Sequence, residues 1–345
     1  MHKDEFYAKI APLDTGKLRK MLWELYWRGG KDLRKRIETL INPEKPKKRG
    51  PQIPDGDLLL QDTLDFVKLA RSGAYMGGSR EVSRNERSKW RVTFRKLVKD
   101  ASMLLEHGAM KDDSMEYGAP AMEALIDLAC ETKGVIYFHS EDPVAAMGMV
   151  VSEQAQLLWG AYLAHEGFAT FARRAAAQFI RWENPYGWTV HGEGRVAERE
   201  TTLTSVLAQM LKGHDAWVEF IDAYLAALDQ VAPVTAPASE RKKPSWQDKR
   251  ELELALEERA ENLAEWNELV LDRLHGTDAE DRLDRLVHHP AFKGAERTFL
   301  EAKLAYLGGN QDLARQLLNK CLQTLPGHRR FLALAEQIGL TTADH

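Results

Sequence analysis

The sequence has few of the features that mark secreted, membrane-spanning or disulfide-rich proteins. Its 345 residues include only two cysteines, Cys130 and Cys321, which lie far apart, and nothing in their spacing suggests a disulfide framework. No run of about 18 apolar residues occurs, and the first residues lack the apolar core of a signal peptide. These absences predict a protein of a reducing compartment. We expect it to be cytoplasmic and to have no membrane partner.

Sequence signatures of catalysis and of metal binding are also missing. No His-Glu-x-x-His motif, no Cys-x-x-Cys pair and no Gly-x-Ser-x-Gly elbow occurs. Histidines and acidic residues occur as adjacent pairs such as His165-Glu166, which point in different directions on a helix. The sequence therefore predicts no metal, no cofactor and no enzyme activity. A catalytic site that only the fold assembles stays open at this point.

Strand signals are scarce, and helical periodicity dominates. Only residues 135–138 have the composition of a strand, and four residues cannot make a sheet alone. The predicted fold is all-α, a helical bundle with a short C-terminal repeat-like helical array. Apolar spacing predicts two or three short helices within 4–41, and further helices at about 57–72, 79–107, 118–132, 143–165, 168–182, 197–212, 214–231, 247–274, 278–287, 298–307 and 311–325.

Two segments that contain prolines and charges but no periodicity divide the chain. They lie at 43–56 and 233–245 and have the composition of linkers. The sequence therefore predicts three parts: a small basic helical module at 1–42, a central helical domain at 57–232 and a C-terminal helical-hairpin domain at 246–345.

Charge is distributed unevenly along the chain. Residues 1–111 hold 25 Lys and Arg against 15 Asp and Glu, a net charge of +10. Residues 112–345 hold 23 against 37, a net charge of −14. A basic third suits a nucleic acid, an acidic protein partner, or docking onto the acidic part of the same chain. Charge alone leaves these three possibilities open.

The predicted helix at 79–107, which Ser79 is expected to cap, carries the sharpest basic pattern. Its arginines recur at helical spacing and form one stripe beside an apolar stripe. Such a stripe can follow a phosphate backbone. Alternatively, the arginine stems cover the edge of the core while their charges reach water. The candidate nucleic-acid-binding residues are Arg80, Arg84, Arg87, Arg91 and Arg95, together with Lys31, Arg34 and Lys35 of the basic module.

The segment 182–195 is an unusual loop that is rich in aromatic residues and glycines. Two interpretations fit this composition. The aromatic rings could stack on a ligand or a base, or they could fill a gap between helices. The paired glycines in it do not form a phosphate loop, because no Lys-Ser or Lys-Thr follows and no strand precedes them.

The predicted helices at 298–307 and 311–325 form a hairpin with small residues where the two helices approach. The positions that carry the pattern are Gly309, Ala314, Leu318, Cys321 and Pro326. With this spacing, residues 297–326 resemble a tetratricopeptide repeat. The resemblance implies a concave surface that binds a protein or peptide. It makes Lys303 and Tyr306, which we expect to be exposed on the first helix, candidate contacts.

Two functional hypotheses follow from these features. The first is a non-catalytic intracellular scaffold or adaptor subunit that binds a protein partner through its C-terminal helical hairpins. The alternative is a nucleic-acid-associated component of a multi-subunit complex, whose basic N-terminal third contacts phosphates. Salt dependence separates them, because phosphate contacts weaken steeply as salt rises and an apolar groove does not.

Overall fold

The structure is a computed structural model, and it describes residues 2–41, 53–107, 113–233 and 245–340. These residues form α-helices and their connections, and no β-strand occurs among them. The predicted all-α fold is confirmed. The chain divides into two compact units, Met1–Gln52 and Ile53–His345, which are described separately. Most residues of the two predicted linkers lie outside the described part of the chain.

The helices are numbered in chain order. The first unit contains α1 (Lys3–Ile10), α2 (Thr15–Arg28) and α3 (Lys31–Ile41). The second unit contains α4 (Gly56–Arg71), α5 (Arg84–His107), α6 (Ala119–Glu131), α7 (Pro143–Met147), α8 (Val151–Glu166), α9 (Phe168–Trp182), α10 (Gly194–Ala197), α11 (Leu203–Met210), α12 (His214–Val231), α13 (Trp246–Asn262), α14 (Ala264–Leu274), α15 (Glu280–Val287), α16 (Ala295–Leu307), α17 (Gln311–Thr324) and α18 (Arg329–Gln337). A π-helical turn, Ser114–Gly118, leads into α6.

The first unit is built around a hairpin of α2 and α3. Asp14 caps α2, because its side chain accepts a hydrogen bond from the Lys17 backbone amide at 2.9 Å. The two helices are joined by polar contacts: the Tyr26 hydroxyl donates to Glu38 Oε1 at 2.5 Å, and the Arg34 guanidinium donates to the Tyr26 carbonyl oxygen at 3.1 Å. These bonds fix the turn between the helices without an apolar core.

The same unit leaves most of its apolar surface in solvent. Among its described side chains, only Ile37 is buried. The rings of Trp23 and Trp27 stack at 5.9 Å, yet 60% and 64% of these residues are exposed. The other exposed apolar residues of α2 and α3 are Met21, Leu22, Leu25, Leu33, Leu40 and Ile41.

The second unit contains one large hydrophobic core that extends from α4 to α16. Helices α4, α5 and α6 pack against one another, and α5 and α6 also pack against α8. Helix α9 then lies between α8 and α12. Every one of these helices buries an apolar stripe, which is the pattern that predicted helices in the sequence.

Trp266 of α14 connects the C-terminal helices to the central ones. Its ring is fully buried and lies 5.3 Å from the ring of Phe179, 5.4 Å from those of Trp217 and Phe220, and 6.0 Å from that of Tyr224. These partners belong to α9 and α12. The segments predicted as a central and a C-terminal domain therefore share one core.

The C-terminal end contains the predicted helical hairpin, formed by α16 and α17. The small residues Ala302 and Ala314 are fully buried. Helix α18 adds to the hairpin through the rings of Phe299 and Phe331, whose centres are 4.8 Å apart. The presence of the hairpin matches the sequence prediction. The identification of it as a tetratricopeptide repeat stays a prediction.

Local capping and a glycine turn move three helix boundaries away from their predicted positions. Helix α5 begins at Arg84, not near Ser79, because Ser83 forms a capping box: its amide donates to Glu86 Oε2 at 2.8 Å, and its Oγ accepts from the Glu86 amide. The predicted helix at 143–165 is two helices, since Gly148 takes a left-handed conformation with φ of 70°. The predicted helix at 197–212 starts later than expected. Its main part, α11, begins at Leu203, because the Thr202 side chain caps it by accepting a hydrogen bond from the Ser205 amide at 3.2 Å.

Among the described helices, none has both the length and the apolar composition that crossing a bilayer requires.

We expect removal of the Trp266 ring to destabilise the second unit strongly. Trp266→Ala deletes the centre of the aromatic cluster and leaves a cavity, so the free energy of unfolding should fall by about 3–5 kcal/mol. Chemical denaturation followed by circular dichroism measures this change. Trp246→Ala is the matched control, because 80% of Trp246 is exposed; its effect should stay within about 0.5 kcal/mol. Equal losses in the two variants would contradict the role of Trp266.

A buried carboxyl on α16 makes the stability of this unit depend on pH. Burial raises the pKa of Glu296 from 4.5 to about 7, although Arg330, at 3.1 Å, opposes the shift. Glu268 and Glu261 raise this pKa further, and His328 Nε2 lies 3.3 Å from the Glu296 carboxylate. The folded protein therefore favours the protonated carboxyl. This contribution to stability is complete below pH about 4.5 and is lost as the pH rises through about 7.

Glu296→Gln should remove this part of the pH dependence. Between pH 5 and pH 8, the free energy of unfolding of the wild type should fall by up to about 3 kcal/mol more than that of the variant. Denaturation midpoints across this pH range provide the measurement, and exposed Glu251→Gln is the control. Parallel pH curves for the wild type and Glu296→Gln would show that the buried carboxyl does not titrate in this range.

Candidate nucleic-acid interface

Helix α5 carries seven cationic side chains over 24 residues. Six of these residues are exposed, and Arg87 is half-buried. Most apolar residues of α5 face the core instead, among them the buried Trp90, Phe94 and Leu97, whereas Val92 is exposed. The cations of α5 are Arg84, Arg87, Lys89, Arg91, Arg95, Lys96 and Lys99.

The cations of α5 form no ion pair with the acidic residues that the structure describes. Within the described part of the chain, none of them lies within 4.0 Å of an acidic oxygen. Several other arginines of the second unit pair with a carboxylate of another segment. Examples of such pairs are Arg71–Glu131, Arg181–Glu123, Arg199–Glu153, Arg282–Asp222 and Arg285–Asp229. Helix α5 therefore presents positive charge that the fold does not neutralise.

Two of the predicted arginines also have structural contacts. Arg95 donates hydrogen bonds to the carbonyl oxygens of Met147 and Ala146, at 2.9 and 2.8 Å, and so caps the C-terminal end of α7. Arg87 donates to the carbonyl oxygen of Ser79. For Arg95, the interpretation of an arginine that supports the fold fits better than that of a free phosphate contact.

The remaining predicted arginines of this region are exposed and make fewer contacts with the rest of the protein. Arg84 and Arg91 are exposed on α5, and the Arg91 guanidinium lies over the Trp90 ring at 5.2 Å from its centre. Arg80 is exposed but lies before α5, because the helix starts later than the sequence predicts. It is therefore not part of the helical stripe.

A cleft lies at the N-terminal end of α5 and has a volume of about 350 Å³. It brings together three of the five predicted arginines, and no carboxylate lines it. Residues from three separate segments form its walls. These are Arg84, Arg87, Ser88, Trp90 and Arg91 of α5, Tyr75 and Gly77 of the loop after α4, and His139 of the loop before α7.

An aromatic cluster fixes the floor of this cleft. The Phe138 ring is fully buried and stacks on the Trp90 ring at 4.1 Å and on the Tyr75 ring at 5.7 Å. Because Phe138 is anchored in this way, the next residue, His139, is held at the exposed rim. Burial raises the pKa of Tyr75 to about 12, so its hydroxyl stays protonated and neutral.

Tyr75, Ser88 and His139 also line this cleft but were not predicted from the sequence. They come from segments up to about sixty residues apart, and periodicity along one helix does not reveal them. One local signal was available. The glycine-containing loop at 73–78 directly precedes the basic segment, and loops of this kind often carry binding residues.

The basic residues predicted in the first unit have different environments. Lys31 is exposed at the start of α3. Arg34 donates to the carbonyl oxygens of Tyr26 and Trp27, so part of its hydrogen-bonding capacity is used within the hairpin. The side chain of Lys35 lies outside the described part of the structure.

The two residues predicted to contact a protein partner are less exposed than expected. Lys303 donates to Glu268 at 3.1 Å and to Asp272 at 2.7 Å, and only 13% of its side chain is exposed. Tyr306 is half-buried and packs against the core of the C-terminal hairpin. The expectation of exposure was wrong for both residues, because acidic side chains of α14 engage Lys303 and Tyr306 packs against the apolar cluster of the hairpin.

The aromatic loop at 182–195 fills a gap between helices with two of its rings. Trp182 and Trp188 are buried, and their indole N–H groups donate to Asp127 Oδ1 at 2.6 Å and to the Trp182 carbonyl oxygen at 2.9 Å. Tyr186 is exposed, but its hydroxyl donates to Glu261 at 2.6 Å. These contacts favour the structural interpretation of this loop over the ligand-binding one.

Acidic, histidine and cysteine side chains do not converge on a metal-binding arrangement within the described segments. The buried Glu183 carboxylate, whose pKa burial raises to about 7, accepts hydrogen bonds from the amide and hydroxyl of Thr204 at 2.6 and 2.9 Å. It therefore holds the start of α11. Its two oxygens are occupied by this structural role.

Comparison with known proteins adds no assignment to these observations. No protein-family model, no curated protein and no solved structure matches this chain.

Proposed function

We propose that this protein is a non-catalytic nucleic-acid-binding protein that contacts phosphates with the solvent face of α5. One observation carries the proposal: six of the seven cations of α5 are exposed, and among the described residues none of the seven has a carboxylate partner. Uncompensated cations on a rigid surface attract a polyanion and release its counterions on binding. The phosphate backbone is the polyanion that this pattern fits best.

The dimensions of α5 suit this role. At 1.5 Å per residue, its 24 residues extend over about 36 Å. Phosphates follow one another at about 3.4 Å of axis per strand in duplex DNA, so the helix is long enough to pass several of them. The apolar side of α5 is anchored in the core, and the exposed cations are therefore presented on a fixed scaffold.

A competing explanation is that α5 docks on acidic residues of its own unit. That arrangement would place carboxylates beside the arginines, as it does for Arg282 and Asp222 on other helices. The exposed cations of α5 have no such neighbours among the described residues. An acidic protein partner remains the other candidate, and the binding experiment below distinguishes it.

A protein-binding role for the C-terminal hairpin is our second proposal. It is supported by the close packing of α16 and α17 and by two exposed leucines of this region, Leu313 and Leu325. It is weakened by Lys303 and Tyr306, which are engaged within the protein. The two roles are compatible with one component of a larger complex.

We expect the purified protein to bind nucleic acid in a manner that depends steeply on salt. Arg84, Arg91, Lys96 and Lys99 should together contribute to this binding, because all four are exposed and none has a carboxylate partner among the described residues. Changing all four to Gln should reduce the slope of log K against log salt by roughly 3 units and weaken binding more than about tenfold near 100 mM salt. Fluorescence anisotropy with labelled single- and double-stranded DNA and RNA provides the measurement.

A second variant controls for net charge alone. Arg173, Lys212, Lys249 and Lys320 are exposed cations outside α5, and changing them to Gln removes the same total charge. This control should bind nearly as the wild type does. Equal losses in both variants would contradict a specific role for α5. Absence of wild-type binding even at about 50 mM salt would overturn the proposal and favour an acidic protein partner.

A further inference from the structure

The cleft at the N-terminal end of α5 brings together three of the seven cations of this helix. Three guanidinium groups, those of Arg84, Arg87 and Arg91, line a space of about 350 Å³ that no carboxylate lines. The acidic residue nearest in sequence, Glu86, is bound to the amide of Ser83, and a hydrogen bond from the Ser83 hydroxyl lowers its pKa. Like charges held this close repel one another, and an anion in the cleft would relieve that repulsion.

The cleft holds two of its arginines in place before any ligand arrives. Arg87 is fixed by its hydrogen bond to the Ser79 carbonyl oxygen, and Arg91 lies over the ring of buried Trp90. Arg84, Arg87 and Arg91 follow i, i+3, i+7 spacing, so their side chains project from one face of α5. Guanidinium groups arranged in this way match the oxygens of a phosphate group with paired hydrogen bonds.

The size of the cleft limits what it can hold. Its volume of about 350 Å³ is near the lower end of the range for small-molecule sites, about 300–1,000 Å³. That space suits a single phosphorylated group, not an extended strand. Ser88 and His139 line the cleft as well, so a hydroxyl and an imidazole are available beside the guanidinium groups.

We infer that this cleft binds a phosphomonoester, and specifically the terminal phosphate of a nucleic-acid strand. A phosphomonoester carries a charge of about −1.5 to −2 and three terminal oxygens, whereas a phosphodiester within a strand carries a single charge. Three arginines converge on the cleft, and this surplus of positive charge matches the monoester. The inference rests on the proposed function, since α5 must also contact the strand that bears the phosphate.

The test compares oligonucleotides of one sequence, about 16 nucleotides long, that differ only at their ends. They carry a 5′-hydroxyl, a 5′-phosphate or a 3′-phosphate. The wild type should bind one of the phosphorylated forms at least about tenfold more tightly than the hydroxyl form. An Arg87→Gln/His139→Ala variant should lose this preference, so that its affinity ratio falls to about 1. Thermal unfolding of the variant verifies that it remains folded.

A control variant separates the cleft from the rest of α5. Lys96→Gln/Lys99→Gln removes charge from the part of the helix that does not line the cleft. It should weaken binding of all three oligonucleotides equally and leave the ratio unchanged. Unequal weakening would place the terminal phosphate outside the cleft and overturn the inference.

Other results of the oligonucleotide experiment would overturn the inference or the proposed function. Equal wild-type binding of the three oligonucleotides would overturn the inference and leave the proposed function intact. Failure to bind any of them would overturn the proposed function. If, in that case, a free nucleoside monophosphate still binds and Arg87→Gln/His139→Ala abolishes its binding, the cleft is a site for a free nucleotide, and recognition of a strand end is excluded.

Discussion

The burial of Trp266 among aromatic rings of α9 and α12 is the contact on which the arrangement of the second unit depends. It fixes α14, against which α15 and α16 pack, and α17 and α18 follow from α16. Towards the N-terminal part of the unit, α9 packs against α8, and α8 packs against α5. A contact near the C-terminal end is thereby linked, through packed helices, to the helix that presents the basic surface.

Ion pairs are distributed unevenly over the second unit. Arginines and carboxylates of different helices form ion pairs such as Arg71–Glu131 and Arg285–Asp229. Exposed pairs of this kind contribute little to stability, about 0–1 kcal/mol each. Their main effect is to neutralise the arginines that take part in them. The seven cations of α5 form no such pair among the described residues, and like charges along one helix disfavour it, so stability does not account for them.

The sequence predicted the all-α fold and most helices correctly, because apolar periodicity reports which face of a helix is buried. It also identified Arg84, Arg87 and Arg91, which the fold brings together in the cleft. It misplaced features that depend on three-dimensional neighbours. The exposure of Lys303 depends on carboxylates of α14, about thirty residues away. The anchoring of Arg95 depends on carbonyl groups more than fifty residues further along the chain. Periodicity within one helix contains no information about such partners.

The nine tryptophans divide sharply by environment, and this has a spectroscopic consequence. Trp23 and Trp27 of the first unit are exposed, as is Trp246 at the start of α13. The others, among them Trp159, Trp182 and Trp266, are buried in the second unit. Intrinsic fluorescence should therefore contain a long-wavelength component from solvated indoles beside a short-wavelength component from the core. A water-soluble quencher would suppress the first component selectively. One sample could therefore report on the exposed tryptophans, two in the first unit and Trp246 in the second, and on the integrity of the core at the same time.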